Sequence, residues 1–220
     1  MKQPIWKIWM SYLTELIIEE GASDLNPDLQ LGLKKGRYCL STPNAIYSYA
    51  DLYDNFSKSF NHLNIKEKDI REVLVLGFGL GSIPYMLEKK FGKNCRYTGV
   101  EADELIAYWA STYVMDELAS PVQMNIVDAS YFVESCEQKF DLIAMDIFID
   151  NEIPSEFEEV HFLQNLKELL NGQGILMYNR LCLTTADRTK SEQFFKNEFK
   201  SVFPNARYLD VDTNWMLLNY

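Results

Sequence analysis

The sequence predicts an α/β fold in which a doubly wound, mostly parallel sheet follows a small N-terminal β extension and ends in an antiparallel strand. From residue 70 onward, short apolar runs alternate with segments whose apolar residues recur every three or four positions, the pattern of alternating strands and helices. The last two strand-like runs, 207–211 and 215–220, are separated by three residues. That connection is too short for a parallel crossover, so these runs must form an antiparallel hairpin.

Residues 1–48 are predicted to form the extension and residues 49–220 the main domain. Residues 5–18 are rich in β-branched and aromatic types, and residues 29–40 form two short apolar runs around a glycine-containing turn, which indicates a hairpin. Between Tyr49 and Leu63 the apolar residues recur at helical spacing. A helix is therefore expected to lead into the main domain.

The main domain is predicted to contain five strands that alternate with five helices before the final hairpin. The predicted strands are 73–76, 96–100, 122–127, 142–145 and 175–181, and the predicted helices are 83–91, 104–118, 130–136, 155–170 and 185–203. Asn171-Gly172 is expected to end the fourth helix. The first strand is wholly apolar, as expected of a strand covered on both faces.

Composition narrows the function classes. The 220 residues include 21 basic and 32 acidic side chains, a net charge of −11, and 47% are hydrophobic. A negative surface repels phosphate backbones, which argues against a nucleic-acid partner. No stretch of about 18 uninterrupted apolar residues occurs, so no membrane span is expected. The four scattered cysteines and two histidines indicate reduced thiols in the cytoplasm and no metal site.

A glycine run is the first candidate site. Gly77, Gly79 and Gly81 follow the first apolar strand and precede its helix. Glycines let a ligand approach the backbone and tolerate positive φ, and a helix N-terminus favours anions. Dinucleotide-binding folds carry G-x-G-x-x-G instead. The G-x-G-x-G spacing therefore favours another ligand, with a plain tight turn as the structural alternative.

Carboxylates follow the ends of three further strands. Glu101 lies 20 residues after the last glycine, where an acid can accept hydrogen bonds from a ribose diol, and Asp103 follows in a V-E-x-D pattern. Asp128, which precedes Ala129, is a candidate nucleoside ligand and equally a helix N-cap. If its strand adjoins the glycine-loop strand, Asp146 lies at the switch point where ligands bind and could stabilise charge or take a proton.

The layout and the glycine spacing resemble the class I S-adenosylmethionine-dependent methyltransferase fold. Within that fold, the chain resembles the spermidine synthase-like branch in three features. These are Val75 two residues before the first glycine, the V-E-x-D pattern, and Asp146 at the first acid of that branch's strand-end motif, D-S-S-D-P. The resemblance implies a loop that holds the methionine part of S-adenosylmethionine or of its decarboxylated form. The implied cofactor-binding residues are Gly77, Gly79, Gly81, Glu101 for the ribose, Asp103, Asp128 for the adenine, Ala129 and Asp146. Asp146 and Tyr49 are the expected catalytic residues.

Two differences from spermidine synthases weaken the case for polyamine chemistry. Leu80 replaces an acid of the glycine loop, and Ile149 fills the second acid position of the D-S-S-D-P motif. With the counter-charges for the donor's amine gone, we expect the loop amides to receive the carboxylate of intact S-adenosylmethionine. We therefore predict a methyltransferase. An aminopropyltransferase and a non-catalytic nucleoside-binding scaffold remain as alternatives.

The substrate is expected to be a small molecule. The acidic run that begins at Glu152 could rim an entrance for a cationic one. Tyr178, Asn179 and Arg180 end the fifth strand and could line its pocket. The resemblance also implies that the N-terminal strands could pair two subunits as a homodimer.

Overall fold

Two β-sheets organise the chain, and the computed structural model describes residues 3–43 and 45–220. The strands are β1 Leu16–Gly21, β2 Leu29–Lys34, β3 Arg37–Ser41, β4 Ile46–Ser48, β5 Glu72–Leu76, β6 Arg96–Glu101, β7 Val122–Ile126, β8 Phe140–Met145, β9 Leu170–Leu181, β10 Arg207–Val211 and β11 Asn214–Leu218. The α-helices are α1 Ile5–Met10, α2 Asp54–His62, α3 Ser82–Lys89, α4 Glu104–Trp109, α5 Ala129–Ser135, α6 Val160–Leu169, α7 Thr185–Phe194 and α8 Lys200–Val202. Among the described helices, none is long and apolar enough to cross a bilayer.

The first sheet is antiparallel, in the order β1-β2-β3-β4. Lys35 and Gly36 join β2 to β3 with φ values of 49° and 72°, as a type I′ hairpin turn requires. This confirms the predicted hairpin. Strand β4 ends at residue 48, and whether residues 1–48 fold as a unit of their own stays a prediction.

The prediction of β structure over residues 5–18 is wrong for its first part, because Ile5–Met10 form α1. Pro4 occupies the N-cap position, where its missing N–H costs no helical hydrogen bond. The Ser11 hydroxyl donates to the Ile8 carbonyl at 2.6 Å, which satisfies one carbonyl at the end of the helix. Ile8 packs against the core, so one turn of helix suits this stretch better than a strand.

The second sheet confirms the doubly wound prediction. Its order is β10-β11-β9-β8-β5-β6-β7. Strand β5 pairs in parallel with β6 and β8, β8 pairs in parallel with β9, and β11 runs antiparallel to both β9 and β10. Buried apolar clusters cover both faces of this sheet. The chain order reverses between β5 and β8, which puts the switch point at the carboxyl ends of these two strands.

Three predicted helices differ from the observed ones. Helix α6 ends at Leu169, and β9 begins at once, so Asn171-Gly172 lie in a strand and do not cap the helix. The Asn171 amide donates to Asp141 Oδ1 at 2.6 Å, which holds this stretch extended beside β8. The predicted helices 104–118 and 185–203 are interrupted by π-helical segments at 110–114 and 195–199.

Candidate functional site

A cavity of about 530 Å³ lies at the carboxyl ends of the parallel strands, with the N-terminal extension against one side. The predicted site residues that line it are Gly77, Gly79, Glu101, Asp103, Asp128, Ala129 and Asp146. Gly81 and Tyr49 are not among the described residues that line this cavity. The structure therefore brings together most of the predicted residues, from the ends of four strands.

The glycine loop needs its first glycine for a steric reason. Gly77 has a φ of 77°, and a Cβ there would lie 2.4 Å from the Asp146 carbonyl oxygen. A larger residue would push β5 away from the residue that follows β8. The close approach of these two strand ends depends on Gly77.

The loop amides already have acceptors within the protein. Gly79 N–H donates to Glu101 Oε2 at 2.9 Å, and Leu80 N–H donates to the Ser48 hydroxyl at 3.2 Å. The N–H groups of Gly77, Phe78 and Gly81 donate to backbone carbonyls at 2.9–3.0 Å. A ligand carboxylate would therefore have to displace Ser48 or Glu101, contrary to the expectation that these amides await one.

The N-terminal extension is attached to the glycine loop through two serines. The hydroxyl oxygens of Ser48 and Ser82 lie 2.6 Å apart, and Tyr49 N–H donates to the Ser82 oxygen at 3.0 Å. Leu80 is buried and lines a second, smaller cavity on the far side of the loop. Leu80 is thus directed away from the cavity that holds Asp146.

Tyr53, and not Tyr49, lies beside Asp146. The Tyr49 hydroxyl donates to the Lys34 carbonyl at 3.4 Å, on the other side of the 3-10 turn Ala50–Leu52. The Tyr53 hydroxyl donates to Asp146 Oδ1 at 3.4 Å. A positive φ of 46° at Ala50 turns the chain between the two tyrosines, and sequence spacing alone does not reveal that turn.

Glu101 ends β6 with both carboxylate oxygens bonded to backbone donors. Oε2 accepts from Gly79 N–H at 2.9 Å and Oε1 from Asp103 N–H at 3.1 Å. Burial raises the pKa of Glu101 from 4.5 to about 7, and the backbone donors offset only part of that effect. Glu101 therefore changes charge near neutral pH.

Asp103 is engaged on both oxygens. Oδ1 accepts from the N–H groups of Leu105 and Ile106 at 3.0 and 3.3 Å, which makes Asp103 the N-cap of α4. Oδ2 accepts from the Asn26 amide at 2.8 Å and from the Ser23 hydroxyl. Asp103 thus fastens the N-terminal loop to the main sheet, and its role in cofactor binding stays a prediction.

A hydrogen-bonded bridge continues from Asp103 across the cavity. Asn26 Oδ1 accepts from the Tyr47 hydroxyl at 2.9 Å. The oxygen of that hydroxyl accepts from Asp150 N–H, in the loop after β8. Asp103, Asn26, Tyr47 and Asp150 all line the cavity, so the extension links Asp103 to the loop beyond Asp146.

Asp128 caps α5, as one of its two sequence interpretations expects. Its Oδ1 accepts from Ser130 N–H at 2.8 Å and from the Ser130 hydroxyl. Ala129 is buried and lines the cavity beside it. Capping uses one carboxylate oxygen, which is compatible with a ligand on the other.

Asp146 lies at the switch point between β5 and β8. Its Oδ1 accepts from the Asn179 amide at 2.8 Å and from Tyr53, and no donor from the described part of the chain bonds Oδ2. Burial raises the pKa of Asp146 from 3.8 to about 7; Asn179 and Tyr53 lower it in part, and the Glu101 charge adds to the rise. Burial also raises the pKa of Tyr53 well above its ordinary value, so Tyr53 stays a neutral donor.

Of the residues Tyr178, Asn179 and Arg180, near the end of β9, Asn179 lines the cavity. Tyr178 donates its hydroxyl to the Phe157 carbonyl at 3.0 Å, and Arg180 pairs with Glu158. Side chains alternate along a strand, so Tyr178 and Arg180 face the opposite side of the sheet from Asn179.

The cavity wall is strongly acidic. Its carboxylates are Asp54, Glu101, Asp103, Asp128, Asp146, Asp150, Glu156 and Asp212, and none of the described lining residues is lysine, arginine or histidine. A cleft lined by charges of one sign raises the local concentration of ligands of the opposite sign. This site is suited to a cationic ligand.

Comparison with known proteins supplies the family. Residues 57–213, more than half of the chain, match the model described as the spermine/spermidine synthase domain. The chain belongs to the spermine/spermidine synthase family. Within that family, it is 28% identical over 139 residues to a probable polyamine aminopropyl transferase of Bifidobacterium longum, a match that spans 63% of this chain and 30% of the relative.

The chain is also similar to methyltransferases. The eEF1A lysine and N-terminal methyltransferase homolog of Drosophila melanogaster is 28% identical over 145 residues, 61% of this chain and 20% of that protein. Both curated relatives are named as transferases, and the matched part of this chain spans less than a third of the length of each relative. The crystal structure of spermidine synthase from Thermotoga maritima shares the fold with a TM-score of 0.67 at 15% identity, over 92% of this chain and 72% of that one.

Proposed function

We propose that this member of the spermine/spermidine synthase family transfers a methyl group from S-adenosylmethionine to an amine nitrogen. Asp146 carries the proposal. It combines a pKa of about 7 with one oxygen held by Asn179 and Tyr53 and the other without a donor. Such a carboxylate can take the proton that an ammonium group must lose before its nitrogen attacks.

The residues of the cavity fit the expected donor. Gly77 leaves the backbone bare at the switch point, and Glu101 offers a buried carboxylate at the end of the neighbouring strand. A ribose diol could take the place of the Gly79 and Asp103 donors on Glu101. When bound, the donor supplies a methyl group already activated by its sulfonium, so the protein needs mainly to align the acceptor.

The remaining side chains act on the acceptor. The acidic wall attracts an amine in its protonated, cationic form. Asp146 Oδ2 accepts its proton, while Tyr53 and Asn179 hold Oδ1 in place. The amine then carries its lone pair toward the methyl group, and the proton leaves with Asp146 when the site opens to solvent.

Leu80 and Ile149 favour methyl transfer over aminopropyl transfer. Leu80 is directed away from the cavity and Ile149 lines it, so neither position offers a carboxylate that would pair with the donor's amine or repel the carboxylate of intact S-adenosylmethionine. Aminopropyl transfer from the decarboxylated donor is the second candidate. The family and the absence of a basic side chain among the described lining residues support it, because that donor lacks the carboxylate and its net charge is more positive by one.

Titration calorimetry with intact and decarboxylated S-adenosylmethionine on one preparation distinguishes methyl transfer from aminopropyl transfer. We expect intact S-adenosylmethionine to bind at least about tenfold more tightly, roughly 1.4 kcal/mol, because its carboxylate can displace the Ser48 hydroxyl from Leu80 N–H. Tighter binding of the decarboxylated donor would transfer our preference to polyamine synthesis. Glu101→Ala should remove most of the affinity for either donor, because two charge-assisted hydrogen bonds are lost.

A non-catalytic scaffold would bind a donor without turnover. Incubation of the protein with S-adenosylmethionine and a panel of diamines, polyamines and lysine peptides, followed by mass spectrometry, separates this case from an enzyme. We expect a product heavier by one methyl group, formed by the wild type and not by Asp146→Asn. No product from any amine, together with tight donor binding, would favour the scaffold.

A further inference from the structure

Three amide and hydroxyl groups form a directed chain of hydrogen bonds that ends on Asp146. The Thr213 hydroxyl donates to Asn214 Oδ1 at 3.0 Å, and Asn214 Nδ2 donates to Asn179 Oδ1 at 3.0 Å. Asn179 Nδ2 then donates to Asp146 Oδ1 at 2.8 Å. Every donor in the chain is directed toward the carboxylate. Asn179 is fully buried, so its amide depends on partners within the protein.

We propose that Asn214 is a positioning residue for Asp146: by donating to Asn179 Oδ1, it fixes the Asn179 amide with its N–H toward the carboxylate. The inference rests on the proposed function only where it concerns catalysis. Asn214 begins β11, and its neighbours in the register are Leu181 on β9 and Val211 on β10. The antiparallel hairpin at the end of the fold therefore contributes to the active carboxylate.

The direction of the Asn179 amide matters because its two ends are nearly the same size and opposite in polarity. Turned by half a revolution, Asn179 would present its oxygen to Asp146 Oδ1 and its N–H to Asn214. The carboxylate would lose a donor and face a second acceptor, which disfavours its ionised form. Asn214 opposes this turn, because its own N–H would then face the N–H of Asn179.

Other groups around Asp146 stay constant when Asn214 is changed. Tyr53, ahead of α2, donates to the same oxygen, and Glu101, at the end of β6, is the nearby acid that raises the pKa of Asp146. The remaining acids of the cavity wall are Asp54, Asp103, Asp128, Asp150, Glu156 and Asp212. A neutral substitution at Asn214 leaves all these charges in place.

The test is a carbon-13 NMR titration of the Asp146 carboxyl in the protein without any donor, in wild type and Asn214→Ala, with the resonance assigned by Asp146→Asn. We expect Asn214→Ala to raise the pKa of Asp146 by about half a pH unit or more. Asn219→Ala is the matched control. Asn219 also connects β11 to β9, accepting from Leu176 N–H at 2.9 Å and donating to the Gly174 carbonyl at 3.0 Å, at the far end of the strand.

An Asp146 pKa that is the same in Asn214→Ala as in wild type overturns the proposal, and so does an equal rise in Asn219→Ala. If Asn214→Ala does not fold, Asn214→Leu removes the donor at a similar volume and adds no charge, and an unchanged pKa there overturns the proposal equally. The titration is done without S-adenosylmethionine or its decarboxylated form. If neither compound bound the protein, the proposed function would fail, and the result of the titration would still hold. With an active preparation, the pH midpoint of kcat should rise by the same amount as the pKa.

Discussion

Glu101→Gln gives a direct test of the buried carboxylates, because glutamine keeps the side chain's size and imitates its protonated form. In the folded protein the pKa of Glu101 is raised from 4.5 to about 7. The folded state therefore holds this proton more tightly than the unfolded chain does. The stability that Glu101 contributes is fully present below about pH 4.5 and is lost as the pH rises to about 7.

The size of the effect follows from the pKa. A rise from 4.5 to about 7 corresponds to about 3 kcal/mol between the protonated and ionised forms. At pH 5 the Glu101 carboxylate of the unfolded chain is already mostly ionised, so the wild type should have lost about 1 kcal/mol of this stability relative to Glu101→Gln. Between pH 5 and 8 the variant's free energy of unfolding should rise relative to the wild type's by about 2–3 kcal/mol, since the variant carries no charge there. The variant also loses one acceptor for the N–H groups of Gly79 and Asp103, but that cost is the same at both pH values.

Urea unfolding followed by circular dichroism at several pH values between about 5 and 8 measures this difference. Glu152→Gln is the control for net charge, because it removes a carboxylate whose side chain is 83% exposed. It should keep the wild-type dependence on pH. Parallel stability profiles for wild type and Glu101→Gln would refute the reasoning, because they would mean that burial does not penalise the Glu101 charge.

Three further substitutions test the neighbouring contacts. Asp146→Asn should reduce transfer at least about 100-fold while donor affinity changes little, and an equal loss of binding and turnover in calorimetry and rate assays would make Asp146 a donor ligand instead. Tyr53→Phe removes a long hydrogen bond to Asp146 and should lower kcat by no more than about tenfold with KM unchanged. Asn26→Ala should cost about 1–3 kcal/mol in urea unfolding, because Asp103 and Tyr47 each lose a buried partner; a smaller loss would mean that water replaces the amide.

The order of the large sheet could be predicted from sequence because its signals are local and repeated. The run Val73–Leu76 is fully buried, as its apolar composition predicts, and the three residues between the last two predicted strands permit only a hairpin. Helix ends were less predictable. Leu170 leaves its helix without a glycine in the left-handed conformation, because pairing with β8 competes with capping, and such a long-range contact leaves no local trace.

In the candidate site, too, residues with a local sequence signal could be predicted and residues placed by long-range contacts could not. Gly77, Glu101 and Asp146 lie where strands end, and strand ends meet in a parallel sheet. Tyr53 escaped prediction because its position depends on a turn at Ala50, and alanine gives no signal for positive φ. The pairing of Asn214 with Asn179 joins residues 35 apart, and only the register of β11 against β9 brings them together.

Glu101 and Asp146 together suggest why this cavity keeps two acids with pKa values of about 7. Each carboxylate costs stability when it ionises without a positive charge beside it. A sulfonium or ammonium ligand would lower both pKa values, because an opposite charge nearby favours the ionised form. Binding of a cation near pH 7 would then release protons. Near pH 8 it would recover the stability that the two ionised carboxylates cost the protein without a ligand. A neutral ligand of the same shape would recover none of this stability. The cost of ionising the two carboxylates therefore makes the cavity selective for cationic ligands.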